Sequence, residues 1–509
     1  MLYEKLSKRQ AVCGLAVLTL GFLGLLPQPA QARVIVPLVS QSTGKTPFIE
    51  NVTVDINAGG TLSSVYYIIY PQAGSKARPF TGSYTGSYLA AQGFQTGTNI
   101  SIPVPFLYAG SINQVAFLFF FKTAKGYDYA ILQDSITTSP YTDPCNRLNT
   151  PVLQQNRTSY SDLNFDFFLL KNSCSSDFPA ILDTDANVRW VGTAKIAGSQ
   201  SAVVFNNGVY ISDGGSGVLR MEFDGRVTKI GDYSATYGVT YTGHHNYDRG
   251  RDGIVLDVNT TAQTESVDLE IDGKTGAVLN EWDLGQIISS AMKAGGDDPA
   301  QFVFPAGTDW FHNNATTYNK ADNTLVVSSR ENFVIAVDYD TPADGVKKIH
   351  WILGDTTKHW YQFPSLQKFA LTPAPGTTAP IGQHAVSFDH NGNLMMFDDG
   401  QNSSFQNPAG ISRSYSAGRI YKIDTSAMTA TEVFTYGPLD KKSAYCGSFY
   451  EGGPGNYLID YTLQNNYATT ELQGIGKSQK VVFDLQYPTA NFCGAGWNAI
   501  PVPSYIAQQ

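Results

Sequence analysis

Seven histidines occur in 509 residues, and three of the segments that carry them share a design. Gly-His-His-Asn-Tyr-Asp spans 243–248, Asp-Trp-Phe-His-Asn-Asn spans 309–314 and Gly-Gln-His-Ala-Val spans 382–386. Each leads to a turn and an apolar stretch: Asp252-Gly253 before Ile-Val-Leu, Asp322-Asn323 before Thr-Leu-Val-Val, Asn391-Gly392 before Asn-Leu-Met-Met. Ser328-Ser329-Arg330 follows the second segment, with Arg330 eighteen residues after His312. If the segments are equivalent parts of modules around one axis, imidazoles from separate modules meet in one pocket beside a guanidinium. That set suits a compact anion. Arg330 can grip two oxygens with a planar fork, and a neutral imidazole, with pKa ~6.5, is nucleophilic near neutral pH. A metal centre fits less well. Each histidine lies in a different module, no His-x-His or His-Glu-x-x-His spacing occurs, and Arg330 repels a cation. The scheme calls for no metal and no cofactor. His350, His359 and His390 match no such segment and read as structural.

The elements that must position these residues are strands. From about residue 150 a unit recurs: an apolar strand ending in Asp, a turn, then a strand with an aromatic residue followed by Gly. Leu269 to Asp272 with Trp282 and Gly285, Ile335 to Asp338 with Trp351 and Gly354, and Ile420 to Asp424 with Phe434 and Gly437 are copies. Ile181 to Asp183 with Trp190 and Met221 to Asp224 with Gly231 precede them, and Val481 to Asp484 is a closing element. About six units of four strands fit a six-bladed β-propeller. Ile287 to Ala294 reads as a helical insertion. Asp183-Thr-Asp185-Ala-Asn187 resembles a calcium loop only in part, because it lacks the downstream Glu, and it sits at a hairpin position.

Ahead of the repeat, short alternating runs such as 51–56, 64–70 and 114–121, punctuated by Gly and Pro, indicate a small β-sandwich of Ig-like type. The chain therefore reads as all-β, with a signal peptide at 1–32, a sandwich at 33–145 and a propeller at 146–509. The signal reading rests on Lys5, Lys8 and Arg9, an apolar stretch from Ala11 to Leu26, and Ala30-Gln31-Ala32 as a cleavage site. Export to the periplasm or medium follows, with no membrane span afterwards. Removing that segment shifts the net charge from −9 to about −11 and leaves no basic block, which argues against nucleic acid as a partner. Four cysteines then remain, Cys145, Cys174, Cys446 and Cys493. Three pairings are open, and proximity in sequence favours Cys145–Cys174 and Cys446–Cys493.

Taken together, the motifs around His312 and Asn314, Ser-Ser-Arg330, Trp351-Ile-Leu-Gly, Gln-His384, Phe397-Asp-Asp-Gly and Tyr415-Ser-Ala-Gly-Arg resemble the bacterial arylsulfate sulfotransferases. The match is good over about 240–440 and looser elsewhere. The resemblance implies a propeller preceded by a sandwich that can support a homodimer. It implies transfer of a sulfuryl group from a phenolic sulfate ester to a phenolic acceptor, with no nucleotide donor, through a histidine-bound intermediate. By position it makes His384 the nucleophile, with His312, Arg330 and His245 as catalytic partners. Asn314, His244 and Tyr415 would line the substrate pocket, His244 because it duplicates the first site. An arginine that often follows Tyr-Ser in the family is Ala417 here, so Arg413 or Arg419 would have to replace it.

In that scheme His384 attacks sulfur, splitting one difficult transfer into two easier steps. His312 and His245 donate to sulfuryl oxygens or protonate the leaving phenolate. Other classes remain open at this stage: a propeller that binds sulfated or phenolic ligands without turnover, a sulfatase-like hydrolase, and a quinoprotein-type or lectin-like propeller, the last told apart by cofactor absorbance.

Overall fold

The computed structural model describes residues 34–508 apart from 58–59, 125, 172–176, 197–200, 490–495 and 497. The expected signal peptide lies outside the described residues, and no described helix is long and apolar enough to cross a membrane. Cys145 and Cys446 are each disulfide-bonded, while Cys174 and Cys493 lie outside the described residues.

The architecture is mostly β, built from eight sheets among the described residues. Two of them are N-terminal. One orders Leu38–Thr43, Glu50–Asp55, Asn99–Val104 and Gln95–Thr96; the other contains Phe80–Thr85, Thr61–Ile69, Ile112–Thr123 and Gly126–Thr137. Side chains alternate between buried and half-buried along strands such as Glu50–Asp55, so one face is turned to the core. The apolar cluster they enclose continues into Phe167, Ile181, Trp190, Met221 and Phe223 of the following region. Arg189 fastens the junction: Nε and Nη2 donate to the Phe106 carbonyl at 3.1 and 2.6 Å, and the guanidinium lies 3.5 Å from the centre of the Tyr108 ring.

Six further sheets follow, each with four main antiparallel strands. Their first strands are Asn498–Val502, Ala202–Phe205, Tyr247–Arg249, Asn313–Asn319, His384–Phe388 and Ser448–Gly453. From Ala202–Phe205 onward, these strands pack against one another in succession, and all six line one central cavity of about 660 Å³. The recurring aromatic has a job between sheets. Trp190 Nε1 donates to Phe223 O at 3.1 Å and Trp282 Nε1 to Asp338 O at 3.0 Å, each reaching the next sheet.

The two ends of the chain close the set. Asn498–Val502 pairs with Phe167–Lys171 in the first sheet, and Val152–Gln155 pairs with Val481–Pro488 in the sixth. Tyr505–Gln508 then leaves and runs parallel to Phe80–Thr85. The last strand, well past the expected division at 145/146, thus hydrogen-bonds to an N-terminal sheet. The helix is longer than expected, Leu284–Gly295. It is capped by the Asp283 side chain, which accepts from Gln286 N, and ends at Gly296 with φ +88°. Asp183 to Asn187 is a turn: Asp183 Oδ1 accepts from the Asp185 and Asn187 backbones, and Arg189 occupies Oδ2 at 2.9 Å.

Candidate functional site

Three histidines stand at or just before the starts of first strands, so they share one end of the central passage. His245 precedes Tyr247–Arg249, His312 precedes Asn313–Asn319, and His384 opens His384–Phe388. The rings of His245 and His312 are 4.6 Å apart between centroids, and those of His245 and His384 are 6.4 Å apart. His244 stacks beside His245 at 6.1 Å. The convergence expected from the spacing is therefore present.

Each motif earns its place through contacts. Trp310 and Phe311 are fully buried and anchor the loop, leaving His312 at φ +54°. Such a backbone is uncommon for a residue with a side chain and persists where its surroundings fix it. Here Ser329 Oγ donates to the Phe311 carbonyl and Arg330 N donates to the His312 carbonyl at 3.1 Å. Ser328 Oγ and Asn314 Nδ2 both donate to the Gln383 carbonyl, at 3.0 and 2.8 Å, and Gln383 Nε2 donates to Ser329 O at 2.5 Å. Ser-Ser-Arg thus ties the His312 segment to the His384 segment.

Around His384, Nδ1 lies 3.0 Å from Asp399 Oδ1 and 3.1 Å from the Gly382 carbonyl. A carbonyl can only accept, so Nδ1 carries the proton and Nε2 of the neutral ring holds its lone pair. Burial pushes the Asp399 carboxyl up, partly countered by His384. Arg330 is buried, with Nη1 donating to Glu331 Oε1 at 2.6 Å and the guanidinium 4.9 Å from the Tyr445 ring centre. Glu331 is itself held by the Ser404 and Phe405 backbones at 2.8 and 2.9 Å.

The electrostatics separate the imidazoles. Burial holds His245 well below the ordinary imidazole range, with Glu265 opposing. Burial also pulls His312 down, but Glu265 and Asp309 overcome it and push it up to about 9, against Arg330. His312 Nδ1 bonds to Asp309 and lies 3.2 Å from Glu265 Oε2. His244 Nδ1 lies 2.6 Å from Glu265 Oε1, and His245 Nδ1 lies 3.6 Å from Glu265 Oε2 and 3.8 Å from Asp257.

Two of the expected pocket residues have partners within the fold. Asn314 is buried beneath the histidines, where it bridges strands through Gln383 and, by its carbonyl, accepts from Asn246 Nδ2 at 2.9 Å. Tyr415 is half-buried, and its hydroxyl accepts from Arg419 Nη2 at 3.4 Å. Arg413 and Arg419, the two expected stand-ins at Ala417, both pair with Asp398. The spacing argument missed Glu265, Asp309, Asp399 and Glu331. Asp309 and Asp399 were in view, inside Asp-Trp-Phe-His and Phe397-Asp-Asp-Gly. Glu265 sits in a hairpin loop with no pattern around it. The expectation of no metal also meets a qualification. His244, His245 and Glu265, and likewise Glu265, Asp309 and His312, bring donor atoms within 4.8 Å of one another, a set compatible with a cation.

Fold and site together define a mostly β protein whose repeated sheets bring histidines, backed by carboxylates, together at one end of the central passage, with Arg330 near enough to oppose the charge on His312. Residues 152–498 match the Arylsulfotransferase (ASST) family, and the chain belongs to that family. The arylsulfate sulfotransferase AssT of Escherichia coli O6:H1 is 28% identical over 266 residues, covering 43% of this chain and 41% of the relative. That of Lelliottia amnigena is 26% identical over 237 residues, covering 38% and 37%. The chain therefore matches about two fifths of the length of these curated relatives. Among solved structures, a europium-containing methanol dehydrogenase shares 11% identity over 76% of this chain and 77% of its own, with a TM-score of 0.30. The WD40 β-propeller domain of Doa1 shares 7% identity over 75% and 91%, with a TM-score of 0.31.

Proposed function

We propose that this protein is an exported, six-bladed propeller enzyme with an N-terminal sandwich, acting in the periplasm or outside the cell. It moves a sulfuryl group from an aryl sulfate to a phenol by a ping-pong route. The observation that carries this reading is the fixed tautomer of His384, with Nδ1–H held by Asp399 and Gly382 in the same cluster of imidazoles as His245 and His312.

His384 Nε2 attacks sulfur, the S–O(aryl) bond breaks with its electron pair leaving on the phenolate, and the His312 imidazolium gives that oxygen its proton. Sulfur is then bonded to Nε2, and Asp399 balances the ring's charge. A second phenol loses its proton to His312 as its oxygen attacks sulfur, and the N–S bond breaks back onto His384. Arg330 binds the sulfuryl oxygens, a role that geometry and charge suit. Aryl sulfate and phenol are the expected small-molecule partners, and the N-terminal domain offers a surface for a homodimer.

Intact-mass measurement after mixing with 4-nitrophenyl sulfate tests the route. A gain of one sulfuryl group, discharged by added phenol and absent in His384→Asn, is expected. Steady nitrophenol release that ignores added phenol would make the protein a hydrolase; ligand binding with neither adduct nor release would make it a binding protein.

A further inference from the structure

We propose that Glu265 is a positioning residue for sulfuryl transfer: its one carboxylate meets His244 and His312 at the same ring nitrogen, beside His245, and so decides which edge of those two imidazoles meets the substrate. The inference rests on the reading above and adds a residue that no motif supplies. Glu265 is buried, in the loop between Ile254–Thr260 and Val267–Ile271, and has φ +44°. A glutamate in that conformation is strained, and strain of this kind persists where neighbouring contacts impose it. Those contacts are on both sides: its N–H donates to Asn259 Oδ1 at 2.9 Å, and its carbonyl accepts from Asn313 N at 2.9 Å, one residue beyond His312. The backbone thereby locks the loop to the His312 segment.

The side chain completes the arrangement. Oε1 takes His244 Nδ1 at 2.6 Å, while Oε2 faces His312 Nδ1 at 3.2 Å and His245 Nδ1 at 3.6 Å. An ionised carboxylate only accepts, so the close nitrogens, those of His244 and His312, carry protons. Nδ1 and Nε2 lie on opposite edges of the ring, so Nε2 is turned away from Glu265 in each case. The same device fixes metal-bound and catalytic histidines generally, where an acidic partner at one nitrogen sets the tautomer and orientation of the other.

His312 differs from its two neighbours because Asp309 meets the same Nδ1. The groups facing it are Glu265 from the hairpin loop, Asp309 from its own loop, Glu331 beyond Ser329, His245 from the third sheet, and Arg330 in opposition. Two carboxylates on one nitrogen stabilise the imidazolium, which then presents Nε2–H to the leaving phenolate. Glu265 is thus what lets one imidazole of the group act as an acid while buried His245 stays neutral.

The test is the alkaline limb of kcat for aryl sulfate to phenol transfer. With His312 held at about 9, wild-type turnover is expected to hold until about pH 9 and fall above it. In Glu265→Gln the limb is expected to move down by about one pH unit or more, with kcat reduced more than KM is raised. In Glu265→Asp, which keeps the charge and shortens the reach, kcat is expected to fall while the limb moves less. Histidine-labelled NMR titration of the resting proteins gives a second readout: His312 should titrate lower in Glu265→Gln. If wild type transfers no sulfuryl group, the functional reading fails, and the NMR titration still decides the role of Glu265. The inference is overturned if the limb and the His312 titration stay in place in Glu265→Gln, or, should that variant not fold, if Glu265→Asp keeps the wild-type kcat.

Discussion

The two ends of the central passage are lined by the same first strands, and they differ in what the charges around them hold. At one end, Glu265, Asp309 and Asp399 are spent on ring nitrogens. At the other, three or four residues further along each strand and so about 10 Å away, lies the 660 Å³ cavity. There Asp248 accepts from Thr316 N at 2.9 Å and Glu451 accepts from His390, while Arg249 Nη2 donates to the Val204 carbonyl at 2.9 Å. Those charges hold the chain in place. The lesson is that room and reactivity separate here: the roomy end has aromatic walls and charges tied to structure, while the histidine end crowds titratable groups against one another. Between them lies a polar layer in which Lys171 donates to Asn246, and Asn498 Nδ2 donates to Tyr450 Oη at 3.2 Å.

The comparison breaks most sharply at His384. His384→Asn is expected to lower kcat on the order of 10⁶-fold, as loss of a nucleophile does elsewhere, measured as initial nitrophenol release with phenol present. Tyr450→Phe at the cavity end is expected to leave that rate unchanged. A His384→Asn protein that kept a tenth of the rate would end the assignment of chemistry to the histidine end. Next in size is Arg330. Arg330→Ala removes the anion grip and is expected to cost roughly 100- to 1,000-fold in kcat. Glu331→Gln leaves Arg330 present but unfastened from the loop at 403–405, and is expected to cost less than Arg330→Ala in the same assay.

The sequence disclosed the histidine end and left its supports obscure, for a physical reason. His245, His312 and His384 announce themselves because strand repeats put equivalent positions at equivalent heights, so spacing alone brings them together. Ser328, Ser329 and Arg330 were visible as a motif, though their contacts show that the two serines brace backbone while the arginine pairs with Glu331 and lies over Tyr445. Glu265 was invisible because its reach depends on one left-handed backbone angle in an irregular loop. Asn314 was named for the pocket by its motif; its side chain donates to the Gln383 carbonyl, and its backbone carbonyl accepts from Asn246 of the polar layer, contacts that local patterning does not disclose. Closure of the sheets by Asn498–Val502 joins residues more than 300 positions apart, which local patterning does not encode.

The smallest expected effect belongs to the cavity end and concerns stability. Burial pushes the Asp248 carboxyl up to about 6, against Lys171 and the Thr316 hydrogen bonds. In the unfolded chain the same group titrates near ~3.9. Between about pH 4 and 6 the folded protein therefore keeps a proton that the unfolded chain has lost, so stability falls as pH rises through that window. Above it the full loss, on the order of 2–3 kcal/mol, is present. Asp248→Asn still offers Thr316 N an oxygen and removes the titration. Its melting temperature is expected to change less with pH than that of wild type across this window. Lys171, buried and lowered to about 8, titrates above the window and leaves the reading clean. Initial transfer rates at pH 7 should match wild type. A rate that fell together with the stability slope would mean that the polar layer couples the two ends, and the passage would then act as one unit.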